Sequence, residues 1–199
     1  MRSKEIYLVG NAVSIPDVSS ISSHEVSNII TFIGKMDYDP NILAVSHFAT
    51  NIFPQLRLCI PDLQFFIVGA NPTQKVRNLA LQPNITVTGF VDSIEPYYQQ
   101  STIIVAPMLT GAGIQNKIIQ AMAYGCCVVT TSIGAEGIDI HNEELAIFDD
   151  TQEMINGILD LLFDINKRKK IGIRAREYII NNLSSNIIAQ QFWKFIDMK

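Results

Sequence analysis

The sequence predicts an α/β fold, a parallel sheet of about six strands with helices on both faces. Three observations predict it. Short apolar runs alternate along the chain with segments of helical period. The turns between them leave no linker long enough for a second domain. Thr102 to Gly137 reads as strand, glycine loop, helix, strand and second glycine loop. Strands apolar at nearly every position are buried on both faces, and such strands lie parallel with helices as their crossovers.

In order, the first strand covers about Asn28 to Ile33 and ends at Gly34. Asp39 followed by Pro40 is a helix entry, cap then first-turn proline, and Ile42, Val45, Ala49 and Ile52 mark that helix's buried face. Pro54 inside the same pattern predicts a kink or a restart, because it removes a backbone donor. A strand over Gln64 to Val68, a helix over Pro72 to Leu81, a strand over Ile85 to Thr88 and a short helix around Ile94 to Gln99 follow. Ile103 to Ala106 is the buried strand before the first glycine loop. After Gly113 a helix places Ile114, Ile118 and Met122 on one apolar face, and Gly125 ends it. Strands over Cys127 to Thr131 and Leu145 to Phe148 complete the sheet. Asp150 with Glu153 is a capping box, opening a helix with Ile155, Ile158, Leu161 and Leu162 inward. Helices over about Ile165 to Asn181 and Ser185 to Met198 close the chain; Phe192, Trp193 and Phe195 cluster in the last one, as core or as a face toward another domain. Residues 1–27 are polar and serine-rich, with only Ile6 to Val9 strand-like, and read as a lead-in segment to a domain over residues 28–199.

A chain of 199 residues with 48% hydrophobic and 17% charged residues buries a full core, which excludes a disordered protein. A net charge of −4 argues against a dedicated nucleic-acid binder. The one basic concentration, Lys167 to Lys170 with Arg174 and Arg176, is a solvated helix start or a contact for an acidic membrane surface. Cys59, Cys126 and Cys127 form an odd set without C-x-x-C spacing, as expected of a reduced, cytoplasmic protein. His24, His47 and His141 share no metal-ligand spacing, and no run has the character of a signal peptide or the length of a membrane span.

The first glycine loop carries the candidate chemistry. An anion lying against Gly111, Ala112 and Gly113 would meet unpaired amides and the positive end of the following helix, and Lys117 would add a full charge. The loop lacks the Walker A spacing and has Asn116 where a dinucleotide fingerprint has its third glycine, so on its own it also reads as an ordinary turn.

Four segments in one order carry a family likeness: GKMDYDPN at Gly34 to Asn41, PDLQFFIVGANP at Pro61 to Pro72, VTGFVDSIEPYY at Val87 to Tyr98, and GAGIQNKIIQAMAYGCCVVTTSIGAEG at Gly111 to Gly137. From about Thr31 onward the chain resembles the carboxy-terminal half of family 4 glycosyltransferases, whose GT-B fold has two facing Rossmann-like domains. The tract YLVGNAVSIPD at Tyr7 to Asp17 resembles the linker between those domains. The resemblance implies a domain that binds a nucleotide diphosphate sugar and moves a hexose, by retaining chemistry and without a tightly held metal, to a carbohydrate or lipid-linked acceptor. It also implies a missing amino-terminal acceptor-binding half, and little activity without it.

On this resemblance Lys35, where relatives often carry Arg, and Lys117 would stabilise the diphosphate leaving group, with amides from Gly111, Ala112 and Gly113. Many relatives carry a Glu-x7-Glu pair whose second acid binds the ribose; here Ala112 and Gln120 stand at those two positions. Gln120 can still bond a vicinal diol, without the charge that strengthens a carboxylate's bond. Gly89, Phe90 and Val91 would lie near the base, and Gly134 to Gly137, with Glu136, near the sugar or the domain cleft. Other readings remain beside these: Lys35 as an exposed turn lysine, Phe90 as core, and Glu136 as a complement to a helix amino terminus. A non-catalytic subunit or scaffold is the rival function, and a nucleotide-sugar epimerase a weaker one.

Overall fold

In the computed structural model, which describes residues 11–17, 27–140 and 143–197, one sheet contains six parallel strands. They are β1 (Ile29–Ile33), β2 (Gln64–Val68), β3 (Ile85–Gly89), β4 (Ile103–Ala106), β5 (Val128–Thr130) and β6 (Ala146–Ile147), in the spatial order β3-β2-β1-β4-β5-β6. This is the predicted sheet, and its neighbours are parallel throughout. The strand-like Ile6 to Val9 lies outside the described residues.

Eight helices are described: α1 (Asp39–His47), α2 (Phe53–Cys59), α3 (Gln74–Arg77), α4 (Glu95–Gln100), α5 (Asn116–Ala123), α6 (Thr151–Phe163), α7 (Ile165–Asn182) and α8 (Ser185–Asp197). The pleat divides the inner strands between two cores. Ile30, Phe32, Phe65, Ile67, Val105 and Val129 face one side with Val45, Leu56 and Ile158 of α1, α2 and α6. Ile33, Val68, Ile104, Ala106 and Val128 face the other with Tyr98 of α4, Ile118 and Met122 of α5, and Ala175 and Ile179 of α7.

Several local signals act as their chemistry requires. Between α1 and α2 the chain winds as a π-helix over Phe48–Ile52, and the Phe53 amide reaches back to the Phe48 carbonyl; Pro54 then sits in the first turn of α2, where its missing donor costs least. The Asp150 carboxylate accepts from the amides of Gln152 and Glu153 at the start of α6. The predicted helix over Pro72 to Leu81 is two shorter pieces, α3 and a 3-10 turn over Asn78–Leu81, entered through a cap by Thr73. The helix expected straight after Gly113 begins only at Asn116, so Ile114 precedes it and packs from the loop.

The basic run is largely engaged. Arg168 is buried and donates to the Leu161 and Leu162 carbonyls at the end of α6, Lys167 pairs with Asp160, and Lys170 and Arg174 meet Glu143. The described part of the lead-in segment packs on the domain: Val13 is buried, and its amide donates to the Leu183 carbonyl at 2.9 Å. Phe192 and Trp193 of α8 are exposed, with rings edge-on at 6.0 Å; the Phe195 side chain lies outside the described residues.

The ends of β1 and β2 approach so closely that Gly69, at φ +148°, has no room for a side chain: a Cβ there would fall 1.8 Å from the Gly34 carbonyl oxygen. Gly69→Ala is therefore expected to lower unfolding stability by at least about 2 kcal/mol in urea titrations. An unchanged midpoint would contradict this packing.

Candidate functional site

The winding of the sheet reverses at β1 and β4, which are neighbours although β2 and β3 lie between them in sequence. Loops leaving their carboxyl ends diverge, and such a crevice is where open α/β sheets take ligands. Gly34 and Lys35 follow β1, and Pro107 to Gln115 follow β4. The second glycine loop, after β5, lies against the first: Gly137, at φ +80°, has Ile114 packed so near that a Cβ would meet its Cγ1 at 2.8 Å.

Lys117 is the centre of this crevice. It occupies the second position of α5, and its half-buried side chain runs back toward the strand ends. The ammonium lies 5.5 Å from the Phe32 ring centroid, 3.5 Å from Met108 Sδ and 3.0 Å from Gln115 Oε1, to which it donates. Among the described residues no carboxylate pairs with it. Burial pushes its pKa down to about 8, because desolvation disfavours the charged form. Lys35 is exposed, and its main chain is fixed by buried Asn41, whose Nδ2 donates to the Lys35 carbonyl at 2.8 Å while Oδ1 has no partner among the described residues.

The glycine loop differs from three free amides. Gly111 (φ +146°) and Gly113 (φ +69°) both take conformations that favour glycine. The Gly113 amide is already bound by Glu136 Oε2 at 2.9 Å, so it is not free for an anion. Gln115 joins the parts, since its Nε2 donates to the Gly113 carbonyl at 3.2 Å while its Oε1 receives Lys117. A continuous path thus runs from cation through amide side chain and peptide to carboxylate. Gly134 is buried and its amide donates to Thr131 Oγ1, so it shapes the second loop from within. Asp149 holds the start of that loop through the Ser132 amide and hydroxyl, bonds that keep its carboxyl below the usual range.

Gln120 is exposed on α5 beside a hollow of about 420 Å³, lined also by Asn11, Ile94, Tyr98, Asn116 and Tyr124. Tyr98 and Tyr124 stack with ring centroids 4.6 Å apart, and the Tyr98 hydroxyl donates to Gln120 Oε1 at 3.5 Å. Phe90 is 75% exposed, which removes the core reading, and Val91 packs partly against the α4–α5 core. Lys117, Gln115, Gly113 and Glu136 are thus joined by hydrogen bonds at one crevice edge, Gln120 lines the separate hollow beside Tyr98 and Tyr124, and Phe90 and Val91 follow the end of β3. Gln115, Asn41 and the tyrosine pair were not singled out from the sequence. Only the spacing of Tyr98 after an X-Pro helix entry carried a signal, for packing.

The Lys117 titration gives a direct test. Its folded-state pKa lies below the unfolded value of 10.5, so the folded chain releases the proton first. The cost of the buried charge is present in full below about pH 8 and fades as pH rises toward 10.5. The unmodified chain is expected to gain stability relative to Lys117→Met across that window in parallel urea titrations. A difference that stays flat with pH would rule out the desolvated ammonium.

Comparison with known proteins agrees with this architecture. The profile of the family glycosyl transferases group 1 matches residues 27–164. An uncharacterised 44.6 kDa protein of the Klebsiella pneumoniae cps region is 25% identical over 174 residues, covering 83% of this chain and 45% of that protein. A Campylobacter jejuni alpha-1,4-N-acetyl-D-galactosaminyltransferase acting on a GalNAc-containing diNAcBac-PP-undecaprenol is 23% identical, covering 87% and 50%. The chain thus spans about half the length of these relatives. Among solved structures, a mutant of Staphylococcus aureus TarM in complex with fondaparinux, alpha-GlcNAc-glycerol and UDP superposes with TM-score 0.79 at 18% identity, covering 98% of this chain and 40% of that one. Anabaena HepE in complex with UDP and glucose gives 0.74 at 17%, covering 95% and 56%. The carboxy-terminal domain of a group 1 glycosyl transferase, LpcC of Francisella tularensis, gives 0.61 at 20%, covering 79% and 86%. With its six-stranded Rossmann-like sheet and a family match across most of its length, the chain belongs to the glycosyl transferases group 1 family.

Proposed function

We propose that this chain is the donor half of a GT-B glycosyltransferase, binding a UDP- or GDP-sugar and presenting its hexose to a carbohydrate or lipid-linked acceptor held by an amino-terminal half. The observation that carries the reading is Lys117: a desolvated cation with no carboxylate partner among the described residues, at the reversal point of a parallel sheet and joined through Gln115 to the first glycine loop. A cation so placed is suited to the charge that develops on a departing diphosphate, because a water-poor site strengthens its field. Lys35 would supply a second cation from the end of β1. The hollow at Gln120, Tyr98 and Tyr124 suits a nucleoside, whose vicinal ribose hydroxyls can bond the Gln120 amide. Phe90 and Val91 would border the base.

The mechanism proposed is retaining transfer without a tightly held metal, as part of polysaccharide biosynthesis, and one half of a cleft catalyses little alone. Acceptor and donor must be brought to near-attack distance in a closed, dry site. No helix among the described residues is long and apolar enough to cross a membrane. A cytoplasmic enzyme with peripheral contact at the membrane surface is part of the proposal. A scaffold that keeps the fold without the donor is favoured by one observation, the neutral Gln120 where the resemblance implies an acid in many relatives.

Thermal unfolding with UDP, GDP, ADP and their sugar conjugates separates the two readings. One base is expected to stabilise the chain by roughly 2.7 kcal/mol at about 100 times its dissociation constant, and Lys117→Ala is expected to remove the shift. No shift at millimolar ligand would favour the scaffold.

A further inference from the structure

Helix α5 carries both Lys117 and Gln120, and its two ends are held unequally. At the carboxyl end the amides of Tyr124, Gly125 and Cys126 return to the carbonyls of Gln120, Met122 and Ala121, and Gly172 of α7 lies so near that a Cβ there would fall 2.0 Å from the Gly125 carbonyl oxygen. The Ala123 carbonyl, which that closure does not use, accepts from Arg176 Nη1 of α7. At the amino end Gln115 stands at the cap position without a cap bond, its amide group being turned to Gly113 and Lys117. The Asn116 side chain is bonded instead from outside the helix, by Asn11 Nδ2 at 3.0 Å. Asn11 belongs to the lead-in segment, which is fastened twice more: buried Val13 bridges to the junction of α7 and α8, its amide on the Leu183 carbonyl, and the Pro16 carbonyl accepts from Arg176 Nη2 at 2.7 Å. One planar fork thus grips both the end of α5 and the segment that runs back to its start. An extended stretch from Asn11 to Pro16 reaches about 17 Å and the helix itself about 12 Å, so the segment is long enough to brace both ends.

We propose that the lead-in segment is a strap on α5, and that Arg176, which fastens it, is a positioning residue acting through Asn11 on the helix turn that bears Lys117. Its effect on a ligand rests on the donor-site reading above; the strap itself rests on the hydrogen bonds. A helix start without its own cap frays, and Asn11 is the contact that holds this one. With the strap fastened, Lys117 is kept over Phe32 and against Gln115 before any ligand arrives. With the strap released, the first turn of α5 must be ordered at the moment of binding, which weakens affinity without removing any group that touches the ligand. The same release lets water reach the ammonium, whose lowered titration has desolvation as its cause.

Two readouts on the 199-residue chain test the strap: calorimetric titration with UDP, or with GDP if guanine is the base that stabilises, and pH titration of the lysine Cε resonances by NMR, with Lys117→Arg identifying the Lys117 signal. In Arg176→Met the nucleotide affinity is expected to fall about tenfold. The Lys117 midpoint is expected to rise from about 8 toward 10.5 in the same variant. Asn11→Ala is expected to move both readouts the same way, with an affinity loss of about threefold. The double variant is expected to lose no more than Arg176→Met alone, since a released strap no longer presents Asn11. Arg176→Lys, which keeps a cation at the end of α5 but not the fork, is expected to retain most of the loss. Losses that multiply in the double variant overturn the proposal, because the two contacts would then act independently. A Lys117 midpoint still near 8 in Arg176→Met and in Asn11→Ala overturns it, because the start of α5 would not have moved. Full recovery in Arg176→Lys overturns it too, reducing Arg176 to a charge at a helix end. Absence of nucleotide binding by the unmodified chain would instead overturn the donor-site reading, and the Lys117 titration then decides the strap alone. Melting temperatures show whether the variants fold; exposed Asn11→Ala carries both readouts if the Arg176 variants do not.

Discussion

Everything at the crevice depends on the reversal of winding between β1 and β4. Parallel strands need right-handed crossovers, so a sheet that grows from β1 toward β3 and then from β4 toward β6 must place its helices on opposite faces. The loops after the two central strands are thereby carried apart, and the space between them is left without side chains of the core. β4 is buried along its length and β1 from Ile30 onward, which fixes the floor of that space in Phe32 and Ala106 and leaves only the loops free to vary.

The charge of Lys117 works against the fold that holds it. Burial penalises the ammonium, and neither Gln115 nor the face of Phe32 carries the opposite charge that would offset the penalty. An apolar chain of similar length at this position would carry no such penalty, so the cation costs the fold stability at the crevice. Asn41 shows the same tension at the end of β1, with one side-chain atom holding the Lys35 carbonyl and the other left unsatisfied in the interior.

The sheet was legible because its strands are buried on both faces, so runs such as Ile103 to Ala106 read as strands without ambiguity of period. Asp39-Pro40, Pro54 and Asp150 were equally legible, since each acts on the backbone through its own chemistry. Helix starts were less so. Gly111 and Gly113 were seen to bend the chain, but the two extra residues before Asn116 depend on how Ile114 packs against Gly137, a contact across 23 positions. The crevice was legible as motifs and illegible as a network: Glu136 and Gly113 are bonded across two loops, and Gln115 has no sequence pattern of its own. Its importance comes from standing between Lys117 and the Gly113 peptide.

The three thiols divide by reactivity. Cys126 and Cys127 are buried, and desolvation raises both, Cys127 up to about 12, so neither supplies thiolate at neutral pH. Cys59 is exposed at the carboxyl end of α2, just before the chain enters β2, and so lies at the edge of the sheet where strands begin. The chain thereby carries one exposed attachment point for a maleimide fluorophore, on the side away from the crevice, where a reporter leaves the crevice loops unobstructed.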